Sequence, residues 1–98
     1  MDYTVFFPTP IESIADPTND NVDVCVTTAD GEAYTLVFIT PDYLKFLMES
    51  NREDHISPSF KYIVVKRIDE GMIRRALDVI VRDRSLLAYY GKDSGRRY

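Results

Sequence analysis

Ninety-eight residues, 45% apolar and 29% charged, supply one hydrophobic core but not two, and that composition lies outside the regime of intrinsic disorder. One cysteine, Cys25, excludes an intrachain disulfide, and one histidine, His55, excludes a multi-histidine metal site. The net charge of −4 hides a division: residues 1–60 carry eleven carboxylates against two cations, a net of −9, whereas residues 61–98 carry ten cations against five carboxylates, a net of +5.

Tyr3 to Phe7 is a β-rich run cut off by Pro8 and Pro10, which predicts a terminal or edge strand. Thr9-Pro10-Ile11-Glu12 has the form of a helix start with Thr9 at the cap, and Pro17 limits that helix to about one turn. Residues 16–21 are acidic and turn-forming, an exposed loop.

Asp30-Gly31 is the dipeptide favoured where both residues of a tight turn need positive φ, and it predicts a central hairpin over residues 22–39. With those two as the whole loop, Ala29 stands opposite Glu32. Val22, Val24 and Val26 then share a face with Ile39, Val37 and Thr35, while Asp23, Cys25 and Thr27 share the other with Phe38, Leu36 and Tyr34. Both faces are at least half apolar. The expected arrangement covers one with helices and the other with the N-terminal segment; the alternative is that the Tyr34, Leu36, Phe38 face meets another protein.

Thr40-Pro41-Asp42 starts a second helix with an inward stripe of Leu44, Leu47 and Met48, Tyr43 beside it, and an end near Ser50 to Arg52. Residues 60–68 return to a strand, in which Ile63 and Val65 alternate with cations. Asp69 caps a helix whose Met72, Ile73, Ala76, Leu77, Ile80 and Val81 form a broad apolar stripe, and Arg74, Asp78 and Arg82 stand four apart as self-paired charges. A last short helix through Leu86, Leu87 and Tyr90 ends at Gly91, with residues 92–98 expected to fray. The expected fold is one α+β domain over residues 1–98, a small, mostly antiparallel sheet with helices packed on one face.

The sequence marks no reaction. Asp54 and His55 are adjacent in a polar run with no nucleophile marked nearby, Cys25 sits mid-strand as a small hydrophobe, and Gly31, Gly71, Gly91 and Gly95 are too scattered for a phosphate loop. The expectation is a protein that is not an enzyme and holds no cofactor or metal. Aliphatic and aromatic runs such as Leu36 to Ile39 are far short of the ~20 residues that span a bilayer, and the opening Met1-Asp2 lacks the basic start of an export signal, so a cytoplasmic location without a membrane partner is expected. Lys61, Lys66 and Arg67 beside Tyr62, with Arg74, Arg75, Arg82 and Arg84, support an alternative: a small nucleic-acid-associated or regulatory domain using the basic C-terminal segment. The net acidic chain and the carboxylates at helical spacing from those arginines weigh against nucleic acid.

Phe60-Lys61-Tyr62-Ile63-Val64-Val65, followed by Asp69-Glu70-Gly71-Met72-Ile73-Arg74-Arg75-Ala76-Leu77-Asp78-Val79-Ile80, resembles the strand and final helix of small acidic bacterial immunity proteins. These are the antidotes encoded beside contact-dependent growth inhibition and other polymorphic toxins. The resemblance lies in size, acidity and the strand, acidic turn, amphipathic helix ending; the family shares no catalytic motif, so no residue role is carried across by position. It implies a non-enzymatic inhibitor that binds a cognate toxin domain, often a nuclease with a basic groove. The acidic segment agrees, because carboxylates shield such a groove and speed association. The expected contacts are Asp20, Asp23, Asp30 and Glu32 at the two ends of the hairpin, with Glu49, Glu53 and Asp54 at the end of the following helix. Whether the protein acts as a monomer or a dimer is left open.

Overall fold

The computed structural model describes residues 2–93. Strand β1 (Tyr3–Phe6) leads through a single 3-10 turn (Ile11–Ser13) to strands β2 (Asn21–Thr28) and β3 (Ala33–Ile39). Helix α1 (Pro41–Asn51) crosses to strand β4 (Tyr62–Val64), and helices α2 (Glu70–Arg82) and α3 (Arg84–Tyr90) precede a two-residue strand β5 (Lys92–Asp93). The sheet order is β1-β2-β3-β4, antiparallel except for the parallel β3–β4 pair, and β5 takes the other half of the β3 edge. The fold is α+β with a small, mostly antiparallel sheet, as the pattern of elements requires.

The hairpin turn departs from its expected form. Thr28 N–H donates to Glu32 O at 2.9 Å and Gly31 N–H donates to Thr28 O at 2.9 Å, so the loop is Ala29, Asp30 and Gly31. Only Gly31 takes positive φ, at 87°, the left-handed position that closes a three-residue hairpin loop. One extra loop residue slips the register by one and turns β3 over. Val22, Val24 and Val26 now pair with Phe38, Leu36 and Tyr34, while Asp23, Cys25 and Thr27 pair with Val37, Thr35 and Ala33. The alternative, that the Tyr34, Leu36, Phe38 face meets a partner, is overturned, because Leu36 and Phe38 are 0% exposed in the core.

Ile73, Leu77, Ile80 and Val81 of α2 and Leu87 of α3 close that core over Val22, Val24, Val26, Leu36 and Phe38. Capping chemistry sets where these helices begin: the Asp69 carboxylate accepts from Met72 N–H, and the Asp83 carboxylate from Ser85 and Leu86 N–H. Helix α1 has no residue in this core. Its Leu47 and Asn51 line a depression with Phe60 and Tyr62, and Tyr62 shares the face of Val37, away from Phe38. The fully buried Thr40 hydroxyl fixes where α1 starts, accepting from Tyr43 and Asp20 N–H and donating to Asp20 O.

Four smaller expectations change. The 3-10 turn has no side-chain cap, so Thr9 does not serve as one. The strand expected over 60–68 is only Tyr62–Val64, because β3 stops at Ile39 and leaves little backbone beyond it to pair with. Lys92 and Asp93 pair with Thr35 and Tyr34 rather than fraying, and the remainder of the expected tail lies outside the described residues. Arg74 pairs with Glu70 at 2.8 Å, while Asp78 accepts from the Tyr3 hydroxyl and so ties β1 to α2.

The register has a measurable consequence. Phe38→Ala should destabilise the protein by about 3–5 kcal/mol, as a buried aromatic truncation does, whereas Val37→Ala, half-buried on the other face, should cost about 1 kcal/mol. Urea denaturation of both variants checks this. A larger loss at Val37 would restore the two-residue turn.

Candidate functional site

The seven carboxylates expected to meet a partner do not form one patch. Asp30 and Glu32 sit at the hairpin tip, where Arg84, the first residue of α3, holds both: Nη2 lies 2.6 Å from Asp30 Oδ2 and Nη1 lies 3.2 Å from Glu32 Oε1. The Thr28 hydroxyl also donates to Asp30, and the Tyr34 hydroxyl donates to Glu32 at 2.8 Å. These bonds hold the Asp30 carboxyl down to about 2, first through Thr28 and then through Arg84 and Glu32 N–H. The accepting Glu32 carboxylate raises the Tyr34 hydroxyl above its ordinary value. This cluster fastens α3 to the hairpin.

The other carboxylates surround α1 and the start of β2. Eight residues of β2 separate Asp20 from the tip by roughly 25 Å at about 3.3 Å per residue. The Asp20 carboxylate accepts from Asn21 N–H, and Asp23 is exposed on the face away from the core. Glu49 lines a shallow depression with Asn19, Asp42, Lys45 and Phe46, and Glu53 lines another with Leu47, Phe60 and Tyr62. Asp54 lies 2.7 Å from His55 Nδ1, both well exposed. Among the described residues, Asp20, Asp23, Glu49 and Glu53 have no lysine or arginine in an ion pair.

Two aromatic residues absent from the expected set stand among these acids. Phe46 is 48% exposed with its ring 5.4 Å from Tyr43, and Phe60 is 58% exposed, stacked on Tyr62 at 5.6 Å. The sequence held a signal for the first: Leu44, Leu47 and Met48 define one helical face, and Phe46 falls off it.

The groups that could carry chemistry are engaged or isolated. Burial and the Asp78 carboxylate push the Tyr3 hydroxyl up to about 12, so it remains a donor to Asp78 at neutral pH. Cys25 is half-buried with its Sγ 3.9 Å from the Thr35 hydroxyl. Among the described residues, no three His, Cys, Asp or Glu side chains are placed to hold a metal ion, and no helix is long and apolar enough to cross a membrane. In the basic segment, Lys61 donates to Pro58 O and lies 5.2 Å from the Tyr89 ring centroid, Arg74 pairs with Glu70, and Arg84 is held at the tip. Comparison with protein-family models, with curated proteins and with solved structures finds no match for this chain.

Acid should loosen the tip selectively. A carboxyl depressed from 3.8 to about 2 contributes stability that is complete above about pH 4 and lost as pH falls toward 2. Asp30→Asn and Arg84→Ala should each lose less stability than the parent over that interval. Denaturant midpoints at pH 5, 3.5 and 2 measure it, and an identical acid limb in all three proteins would remove Asp30 from the cluster.

Proposed function

We propose that the protein is a non-enzymatic, protein-binding inhibitor of the immunity type, which neutralises a cognate bacterial toxin domain in the cytoplasm by direct binding. The observation that supports this reading is the separation of the acids. Asp30 and Glu32 serve the fold, while Asp20, Asp23, Glu49 and Glu53 make no ion pair among the described residues, and Glu49 and Glu53 line the depressions that hold the exposed Phe46 and Phe60. Free carboxylates around an apolar surface suit a partner with a basic groove, such as a nuclease: the charges raise the encounter rate, and the apolar centre holds the complex. Asp54, already beside His55, belongs to the rim.

Rim charges act mainly on association. In a protection assay against a toxin-like domain encoded by a neighbouring gene, the parent protein and His55→Ala should both restore growth. Glu49→Lys with Glu53→Lys should slow association with that domain about tenfold at low salt and flatten its salt dependence. Arg75→Glu and Arg82→Glu should have little effect. Equal effects from the two groups, or no protection by the parent, would overturn the proposal. Saturable retardation of DNA or RNA at ~150 mM salt, weakened by Arg67→Glu, would favour the nucleic-acid-associated alternative instead.

A further inference from the structure

We infer that the protein pairs with a second copy of itself along the free edge of β1, in an isologous dimer whose two-fold axis passes Val5 of the strand and Ala76 of α2. The inference stands apart from the inhibitor role and uses no residue of α1. Strand β1 is an outer strand of the sheet. Thr28 N–H donates to Glu32 O across the hairpin, so the main-chain groups of Thr28 and Val26 point to β3, and those of Thr27 and Cys25 point to β1. Their partners Thr4 and Phe6 are thereby bonded to β2, which leaves the N–H and C=O groups of Tyr3 and Val5 directed outward. Proteins guard such an edge with lysine, proline or a bulge, and Lys61 and Lys66 bracket β4 at the far side of the sheet. Tyr3-Thr4-Val5-Phe6 has neither charge nor proline, and its register with β2 is continuous.

Two independent registers select a second copy as the occupant. A two-fold axis perpendicular to the sheet keeps Tyr3, Val5 and Phe7, which pack toward the core, on one side. Residues opposed across it must therefore share a face. Val5 opposite Val5, Tyr3 opposite Phe7 and the 65% exposed Phe6 opposite Thr4 satisfy this. Helix α2 supplies the other register: Glu70, Arg74, Asp78 and Arg82 stand four apart, all exposed, with alternating sign. This stripe follows β1, because Asp78 accepts from the Tyr3 hydroxyl and the Arg74 guanidinium lies 5.9 Å from the Phe7 ring centroid. The midpoint of those two contacts is Val5 on the strand and Ala76 on the helix. Rotation about that midpoint sets Arg74 against Asp78 and Glu70 against Arg82 of the other copy, so opposite signs meet along the stripe. Moving the axis by one strand residue, about 3.3 Å or roughly two helix residues, sets Arg74 against Arg82 or Asp78 against Glu70. Arg82 makes no ion pair within the chain among the described residues. A strand from an unrelated protein would fill the edge and leave the stripe unmatched.

The test is sedimentation of the full chain over a concentration series, with circular dichroism to establish that each variant folds. The parent should sediment as a dimer at the upper concentrations. Val5→Pro removes the outward N–H without breaking a bond to β2, and should weaken the dimer at least about tenfold. Glu70→Arg and Arg82→Glu each oppose two like-charged pairs across the axis, and each alone should dimerise at least about tenfold more weakly than the parent. Mixed in equal amounts, these two variants carry opposite signs at positions 70 and 82 of facing copies, and the mixture should dimerise as tightly as the parent. In a mixture of isotope-labelled and unlabelled parent, filtered nuclear Overhauser contacts should join Tyr3 of one copy to Phe7 of the other. A monomer throughout the series, a dimer indifferent to Val5→Pro, or a mixture no tighter than its two components would overturn the inference.

Discussion

The length of one turn decides which half of β3 faces inward. Ala29, Asp30 and Gly31 make a loop of three, and the count places Leu36 and Phe38 opposite Val24 and Val22. A loop of two would have offered Val37 and Thr35 to α2 and α3 in their place. The positive φ of Gly31 makes the longer loop possible, because another L-residue in the left-handed region costs roughly 1–2 kcal/mol. Thr28 and Glu32 complete the loop through their own main-chain bond, and Arg84 braces it from α3. Turn, register and helix placement thus depend on one another.

That dependence also sorts the charge. The chain carries a net −9 in residues 1–60 and +5 in residues 61–98, and folding brings Arg84 from the basic part onto Asp30 and Glu32 of the acidic part. Asp20, Asp23, Glu49 and Glu53, around α1 and the start of β2, pair with no lysine or arginine among the described residues. Exposed pairs of the Arg84 kind contribute little to stability, so their main role is geometric, holding α3 across the hairpin tip. Glu49 and Glu53, in the depressions of Phe46 and Phe60, make no such pair among the described residues.

Much of this was legible in the sequence where the governing chemistry is local. Thr40-Pro41 and Asp69 start helices because a side-chain oxygen meets the first free N–H groups, and Gly91 follows the last turn of α3. The α2 stripe is readable from spacing alone. Loop length was not readable, since Asp-Gly suits a two-residue loop and also a three-residue loop with glycine last. Strand β4 was over-extended because the end of a strand depends on its partner, and β3 stops at Ile39. Arg84 is more than fifty residues from Asp30 and from Glu32, so their contact left no mark in any window of sequence. Phe46 could have been found from its position off the Leu44, Leu47, Met48 face, and Phe60 could not, because its exposure follows from where β4 begins.

The most direct measurement is the set of cross-strand nuclear Overhauser contacts within the hairpin. A three-residue turn predicts that Val24 is paired with Leu36 and Val22 with Phe38, with Asp23 opposite Val37. Pairing of Val24 with Val37 and of Cys25 with Leu36 would contradict it and return Leu36 and Phe38 to the outer face.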